Sequence, residues 1–228
     1  MAENVHEIVE ELVLVARRFY ARGWLMGTSG NLSAVVEREP MRLAITASGV
    51  DKGDLRPEQI LLVDENARVL SEARNPPGFM STPDSPSKAG ANKPSDETLL
   101  HVRIVKERAA GAVLHTHSIW NTIFSDLHAS EGGVRIEGYE MLKGLAGVKT
   151  HEHSEFLPIV DNSQDMPALA NTISKTLGAH KFAHGILIRR HGLYSWGENL
   201  AQAKRHVEIL EFLLETMGRT AMLKTGKG

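Results

Sequence analysis

Two short apolar runs, Gly111-Ala112-Val113-Leu114 and Gly185-Ile186-Leu187-Ile188, constrain this chain most. Each is too short for a core helix, and neither alternates with polar residues. Both read as strands buried within a sheet. The first run ends in His115-Thr116-His117. Successive side chains on a strand point to opposite faces, so the two imidazoles share one face and can converge on a single ion. The second run leads into Arg189-Arg190-His191-Gly192 and offers a third imidazole. Three neutral histidines with one position left open form the ligand set of a catalytic zinc rather than a structural one. The chain holds eleven histidines, and a lone histidine is usually just a hydrogen-bonded polar residue. The pairing at a strand end sets these apart.

With 228 residues and 42% hydrophobic content, the chain can build one sizeable core, and we read a single domain over 1–228. It has no cysteine, which excludes disulfides, thiolate metal sites and a cysteine nucleophile, and fits a cytoplasmic setting. A formal charge of −2 and a pI near 6.6 supply no global field for nucleic acid or an anionic membrane. The opening Met1-Ala2-Glu3-Asn4 runs into an acidic amphipathic pattern, unlike a signal or transit peptide. No apolar run approaches the roughly 20 residues of a membrane span.

Helical periods surround the two runs. Val5, Ile8, Val9, Leu12, Val15, Ala16 and Phe19 predict a helix over 5–22, stopped by Gly23. Strands are expected at 32–36, 43–46 and 60–63, and a long surface loop over 71–93, where Pro, Gly, Ser and Asn dominate. Ser95 should cap a helix running to about residue 110, with Asp96 and Glu97 in its first turn. Further helices are expected near 118–128 and 165–178, and a strand at 156–160. The last helix is the clearest, with Asn199 and Gln202 as a capping box and Val207, Leu210, Leu214 and Met217 as its seam. Interleaved helices and strands give an α/β sheet covered by helices.

Three segments have the composition of anion sites. Gly27-Thr28-Ser29-Gly30-Asn31 and Thr46-Ala47-Ser48-Gly49 combine small residues, free N–H groups and hydroxyls, and Ser95 sits at a helix start. Each alone is commonly a turn or a cap; together with a metal grip they suggest a small phosphorylated substrate. Two carboxylates are candidates for acid–base work. Glu97 lies one turn before His101 and could equally be a favourable helix-start charge, whereas Glu140 lies three residues before Lys143 and could equally be half of a surface pair. The residues alone leave both open. His151-Glu152-His153 has the spacing of a rival grip, but no apolar run precedes it.

The order of Gly27-Thr28-Ser29-Gly30-Asn31-Leu32-Ser33, Thr46-Ala47-Ser48-Gly49, Pro94-Ser95-Asp96-Glu97, His115-Thr116-His117 and Arg190-His191-Gly192 resembles the class II sugar-phosphate aldolase and epimerase superfamily, which includes the adducin head domain. Within it, Gly138-Tyr139-Glu140-Met141-Leu142-Lys143-Gly144, Pro158-Ile159 to Asp165 and Arg189 to Gly197 resemble the methylthioribulose-1-phosphate dehydratases of methionine salvage. The resemblance implies a three-layer α/β/α sandwich around a largely antiparallel sheet, and a cyclic homotetramer with sites near subunit interfaces. It implies one Zn2+ per subunit on His115, His117 and His191, and the substrate phosphate among Gly30, Asn31, Ser48, Gly49 and Ser95. Glu140 would be the proton shuttle. Glu97 matches the catalytic carboxylate of the aldolases, where some dehydratases carry another residue. Asp96 departs from the aldolase pattern, and should point away from a phosphate or cap the helix. A retro-aldol cleavage on the same site, or a non-enzymatic adducin-like module, are the competing implications. A cupin-type oxygenase could also use His-x-His, but interleaved helices argue against that all-β fold.

Overall fold

The computed structural model describes residues 5–72 and 93–225, so most of the loop expected over 71–93 lies outside the described residues. Five α-helices are present among them: α1 (Val5–Ala21), α2 (Thr98–Arg108), α3 (Ile119–Leu127), α4 (Met166–Ala179) and α5 (Leu200–Thr225). Nine strands form the sheet: β1 (Asn31–Arg38), β2 (Met41–Thr46), β3 (Ile60–Asp64), β4 (Val69–Glu72), β5 (Ala112–Thr116), β6 (Gly133–Glu137), β7 (Ser154–Val160), β8 (Gly185–Ile188) and β9 (Gly192–Gly197). Their spatial order is β4-β3-β2-β1-β5-β9-β8-β7-β6, and β7 with β8 is the parallel pair in an otherwise antiparallel ladder. This is the expected α/β sandwich with a largely antiparallel sheet.

Strand periodicity sorts the core onto two faces. Leu43, Ile45, Leu61, Val63 and Val113 pack against Leu100 and Ile104 of α2 and Leu169 and Ile173 of α4. Their chain neighbours Ala44, Leu62, Ala112 and Leu114 pack against Leu12, Ala16 and Phe19 of α1 and Ala203 and Val207 of α5. Farther along, Leu187 and Leu193 meet Phe124 of α3 and Leu210 and Leu214 of α5. Because both faces are covered, the central strands need apolar residues at every position, which is why β5 and β8 read as unbroken runs.

Three strands were not anticipated. β4 extends into the segment expected as a loop, β6 occupies a stretch with no expected element, and β9 begins directly after His191. β6 is one of the two edge strands and alternates buried Val134 and Ile136 with exposed Arg135 and Glu137, the half-covered pattern of a sheet margin. Helix α2 starts at Thr98 rather than at Ser95; residues 96–97 form a turn in which Ser95 Oγ accepts from Glu97 N at 3.3 Å. The Asp165 and Ser118 side chains cap α4 and α3, and Asn199 Oδ1 accepts from Gln202 N at 2.9 Å.

A buried ion pair ties β7 to β8. Glu155, 1% exposed, accepts from His184 Nδ1 at 2.9 Å and His184 N at 2.9 Å, while His184 Nε2 donates to the Ala146 carbonyl at 2.9 Å. With both ring nitrogens donating, His184 carries its proton. Burial alone would drive that proton off, and the Glu155 hydrogen bond and charge more than reverse it, so the His184 pKa is raised. Burial would likewise raise Glu155, and His184 lowers it below its ordinary 4.5. The depressed carboxyl contributes stability above pH 4.5, and the raised imidazole contributes below pH 6.5 and loses it as pH climbs through its folded value. The pair is therefore worth most between pH 4.5 and 6.5. Breaking a buried pair costs about 3 kcal/mol, so Glu155→Gln should lower stability by about that near pH 6 and by clearly less near pH 9. Denaturant titration of both proteins across this range checks it; a difference independent of pH would refute the charged-pair assignment.

Candidate metal centre

His115 and His117 leave β5 on the face covered by α2, as their spacing requires. Antiparallel pairing sets Tyr194 of β9 beside His115, and the two rings stack at 3.9 Å with planes 10° apart. His191 sits in the tight turn between β8 and β9. There Arg190 has a φ of +54°, a left-handed conformation costly for a residue with a Cβ. Ser125 Oγ of α3 accepts from Arg190 N at 2.9 Å and Thr122 Oγ1 donates to the His191 carbonyl at 3.4 Å, which hold the turn. Glu97 arrives from the start of α2.

The four side chains converge. His115 Nε2 lies 2.8 Å from His117 Nε2 and 3.3 Å from His191 Nε2. Glu97 Oε1 is 2.9 Å from His191 Nε2 and 3.6 Å from His115 Nε2. All four donor atoms lie within 4.8 Å of one another. His115 Nδ1 donates to the Leu193 carbonyl at 3.0 Å, and His191 Nδ1 is directed at Asn162 Oδ1 at 3.4 Å. These outer bonds fix the tautomers so that the Nε2 lone pairs point inward. Donors about 2.0–2.1 Å from a tetrahedral ion stand about 3.3–3.4 Å apart, so the observed spacings fit one small cation. Lone pairs turned on one another repel; a cation at their centre removes that repulsion. Burial pushes the His117 pKa down to about 3, aided by His115 and His191, and so keeps it neutral. Burial would raise Glu97, but the imidazoles of His115 and His191 beside it hold it well below the usual carboxylate range. An anionic carboxylate and a neutral imidazole at His117 are states a metal needs.

Several supporting residues were not foreseen. Asn31 Nδ2 donates to Glu97 Oε2 at 2.7 Å, and its Oδ1 meets Nε2 of the fully buried His101, whose Nδ1 contacts Ser33 Oγ at 2.7 Å. The Asn31 side chain, expected at a phosphate, is thus committed to orienting Glu97. Lys52, 1% exposed, donates from Nζ to the carbonyls of Thr28 at 3.1 Å and Val50 at 2.9 Å, bridging the two glycine-containing loops. Burial lowers its pKa to about 8 against the charges of Asp51 and Glu97. A lysine three residues beyond Gly49 was the available signal. The fully buried Tyr194 hydroxyl has no well-aligned partner among the described residues, and burial together with Glu97 raises its pKa.

Of the residues expected at the phosphate, Gly30 abuts the cluster: a Cβ there would come within 2.6 Å of the His115 carbonyl. Gly30 and Gly49 both have left-handed φ, +67° and +71°. Ser48 N donates to the Lys93 carbonyl at 2.8 Å, and Ser95 Oγ is occupied by Glu97 N. Asp96 is exposed. Glu140 is not brought to the cluster within this chain. It begins a short 3-10 turn, is 72% exposed, pairs with Lys143 at 2.6 Å and faces His151 at 3.8 Å. The rival grip is dispersed: His151 faces Glu140, whereas His153 contacts Glu155 at 3.1 Å. His153 lines a cavity of about 500 Å³ with His184, Trp196 and His206, at the opposite end of β9 from the metal cluster.

The profile of the class II aldolase and adducin N-terminal domain matches residues 10–217. The chain belongs to the class II aldolase and adducin family. The methylthioribulose-1-phosphate dehydratase of Methylococcus capsulatus is 42% identical over 206 residues, spanning 90% of either chain. That of Pseudomonas aeruginosa is 38% identical over 216 residues, 94% of this chain and 95% of the relative. The likeness to dehydratases read from the motifs therefore holds along the chain. Among solved structures, the l-fuculose-1-phosphate aldolase of Thermus thermophilus superimposes with a TM-score of 0.71 at 18% identity, covering 97% of this chain and 99% of that one. The sugar-phosphate aldolase of Thermotoga maritima gives 0.68 at 17% identity, with 96% of each chain covered. At these identities the likeness is one of fold.

Gly192 packs closely behind two of the histidines. An added Cβ would lie 2.3 Å from the Thr116 carbonyl, 2.8 Å from His115 Cε1 and 3.2 Å from His117 Cδ2. Its φ is not left-handed, so Gly192→Ala tests sterics alone. Displacement of both imidazoles should weaken divalent-metal binding about tenfold or more, measured by competition with a chelating dye; unchanged affinity would show that the cluster does not bind an ion as a unit.

Proposed function

We propose that the protein removes water from 5-methylthioribulose 1-phosphate to give 5-methylthio-2,3-diketopentyl 1-phosphate, a step of methionine salvage, using one Zn2+ on His115, His117 and His191. The observation that carries this reading is the convergence of three inward-facing Nε2 atoms and one ionised carboxylate on a single point, in a chain whose relatives along nine-tenths of its length are named as this dehydratase. Bound zinc would supply Lewis-acid polarisation of the substrate's C2 carbonyl and C3 hydroxyl oxygens.

The chain's own residues supply the rest. The reaction takes the proton from C3, expels the C4 hydroxyl with a proton, and ketonises the resulting enol. Carboxylates suit both transfers. In one subunit Glu97 is the carboxylate at the cluster, where Asn31 orients it and His191 keeps it ionised. Glu140 serves as the proton shuttle only if a neighbouring copy presents it. A homotetramer in the cytoplasm is part of this proposal, and exposed Ile119, Ile123 and Leu127, at i, i+4 and i+8 on α3 beside His117, give such a neighbour an apolar surface to cover. Gly30, Gly49, Ser48 and Ser95 surround the phosphate through backbone N–H groups and hydroxyls, with Lys52 adding positive charge behind the loops. No described helix is long and apolar enough to cross a membrane.

Glu97 at the cluster also suits a retro-aldol cleavage of a related ketose phosphate. Incubation of zinc-loaded protein with 5-methylthioribulose 1-phosphate, followed by mass spectrometry, separates the two: loss of one water supports dehydration, and two fragments support cleavage. An adducin-like interaction module would convert nothing and have no need of three ligands. Glu140→Gln and His117→Ala should each cut turnover by about 10²-fold or more, the first retaining zinc and the second losing it. If Glu140 acts across a subunit contact, oligomers reassembled from both variants together should recover activity that neither has alone. Wild-type turnover by Glu140→Gln would remove that residue from the reaction.

A further inference from the structure

Thr116, between the two ligands of β5, points to the other face of the sheet, where α5 presents a buried acid. Glu211 is 2% exposed. Its Oε1 accepts from Thr116 Oγ1 at 2.7 Å and from Asn121 Nδ2 at 3.0 Å, and the Ser118 hydroxyl faces the carboxylate too. Asn121, fully buried, also reaches the Thr116 carbonyl at 3.2 Å and Thr116 Oγ1 at 3.3 Å, while its own backbone N–H donates to Ser118 Oγ at 3.0 Å. One carboxylate therefore gathers the corner at which β5 turns into α3. Helix α3 holds the third ligand as well, because Thr122 and Ser125 bond the His191 carbonyl and Arg190 N.

We propose that Glu211 is a positioning residue of the metal centre, fixing His115-Thr116-His117 from behind the sheet and, through α3, the turn that carries His191. The inference rests on the metal-binding reading of the cluster. Stability does not account for the acid: no cation forms an ion pair with it among the described residues, Glu215 is the charge facing it, and burial pushes its pKa up to about 7. A folded value above the ordinary 4.5 means that the fold loses stability as pH rises from 4.5 through 7. An apolar side chain of similar size would avoid that loss but would leave Thr116 and Asn121 without their acceptor.

The test is Co2+ binding to the full chain, read by affinity and by the visible d–d spectrum, in wild type, Glu211→Met, Glu211→Gln and Thr116→Val. Glu211→Met should bind cobalt about tenfold or more weakly with an altered spectrum, and Glu211→Gln, which keeps an acceptor oxygen, should restore both. Thr116→Val, which deletes one donor at nearly constant shape, should move the spectrum in the same direction and stands in if Glu211→Met does not fold. A Glu211→Met or Thr116→Val protein with wild-type cobalt affinity and spectrum would overturn the inference while leaving the metal centre intact. Wild-type protein that takes up no cobalt would overturn the metal reading, and this inference with it.

Discussion

Everything at the candidate site depends on β5 lying in the middle of a sheet that is covered on both sides. Because its side chains alternate, Val113, His115 and His117 are delivered to the α2 face while Leu114 and Thr116 are delivered to the α5 face. The apolar members of each set bury against helices and fix the strand's rotation and register. A slip of one residue would exchange the two faces, placing two imidazoles among the side chains of α5 and leucine at the metal. The same packing that stabilises the core thus specifies which way the ligands point.

Around that strand, the polar interior is organised by what burial costs. A buried imidazole is kept neutral at His101 and His117, each pushed to about 3; a buried carboxylate is kept charged at Glu97 by facing imidazoles, and a buried ammonium at Lys52 is partly relieved by two carbonyls. Each of these groups would be a liability in an apolar core. Their concentration at the open end of β1, β5 and β9 marks the region where the fold spends stability on chemistry. By contrast, the Glu155–His184 pair at the other end of β9 is satisfied by its own contacts together with His153 and the Ala146 carbonyl, and joins β7 to β8, as a structural pair should.

The sequence was legible wherever local periodicity and local punctuation agreed. The helix stripe of α1, the Asn199 cap of α5 and the unbroken run of β5 each reflect interactions made within a few residues or a face decided by one period. It was less legible at β9, whose two terminal glycines and mixed polar content look like a loop until β5 is placed beside it; Gly192 is required there by the Thr116 carbonyl and two imidazoles rather than by a turn. Asn31 illustrates the same limit in the site. Its sequence context is that of an anion loop, yet its side chain is taken by Glu97 and His101, partners 66 and 70 residues away.

By itself, the sequence determined the fold class, the strand-end histidine pair, the third histidine and the family, because each rests on short-range spacing or on an ordered set of motifs. Only the tertiary structure decided that Glu97 rather than Glu140 stands at the cluster within one chain, that His151 and His153 part company, and that Asn31, His101, Tyr194, Lys52 and Glu211 support the site. These are outcomes of long-range contact. A carboxylate beside a lysine and a carboxylate among imidazoles look alike along the chain, and the sheet's crossovers determine which of them is brought to the histidines.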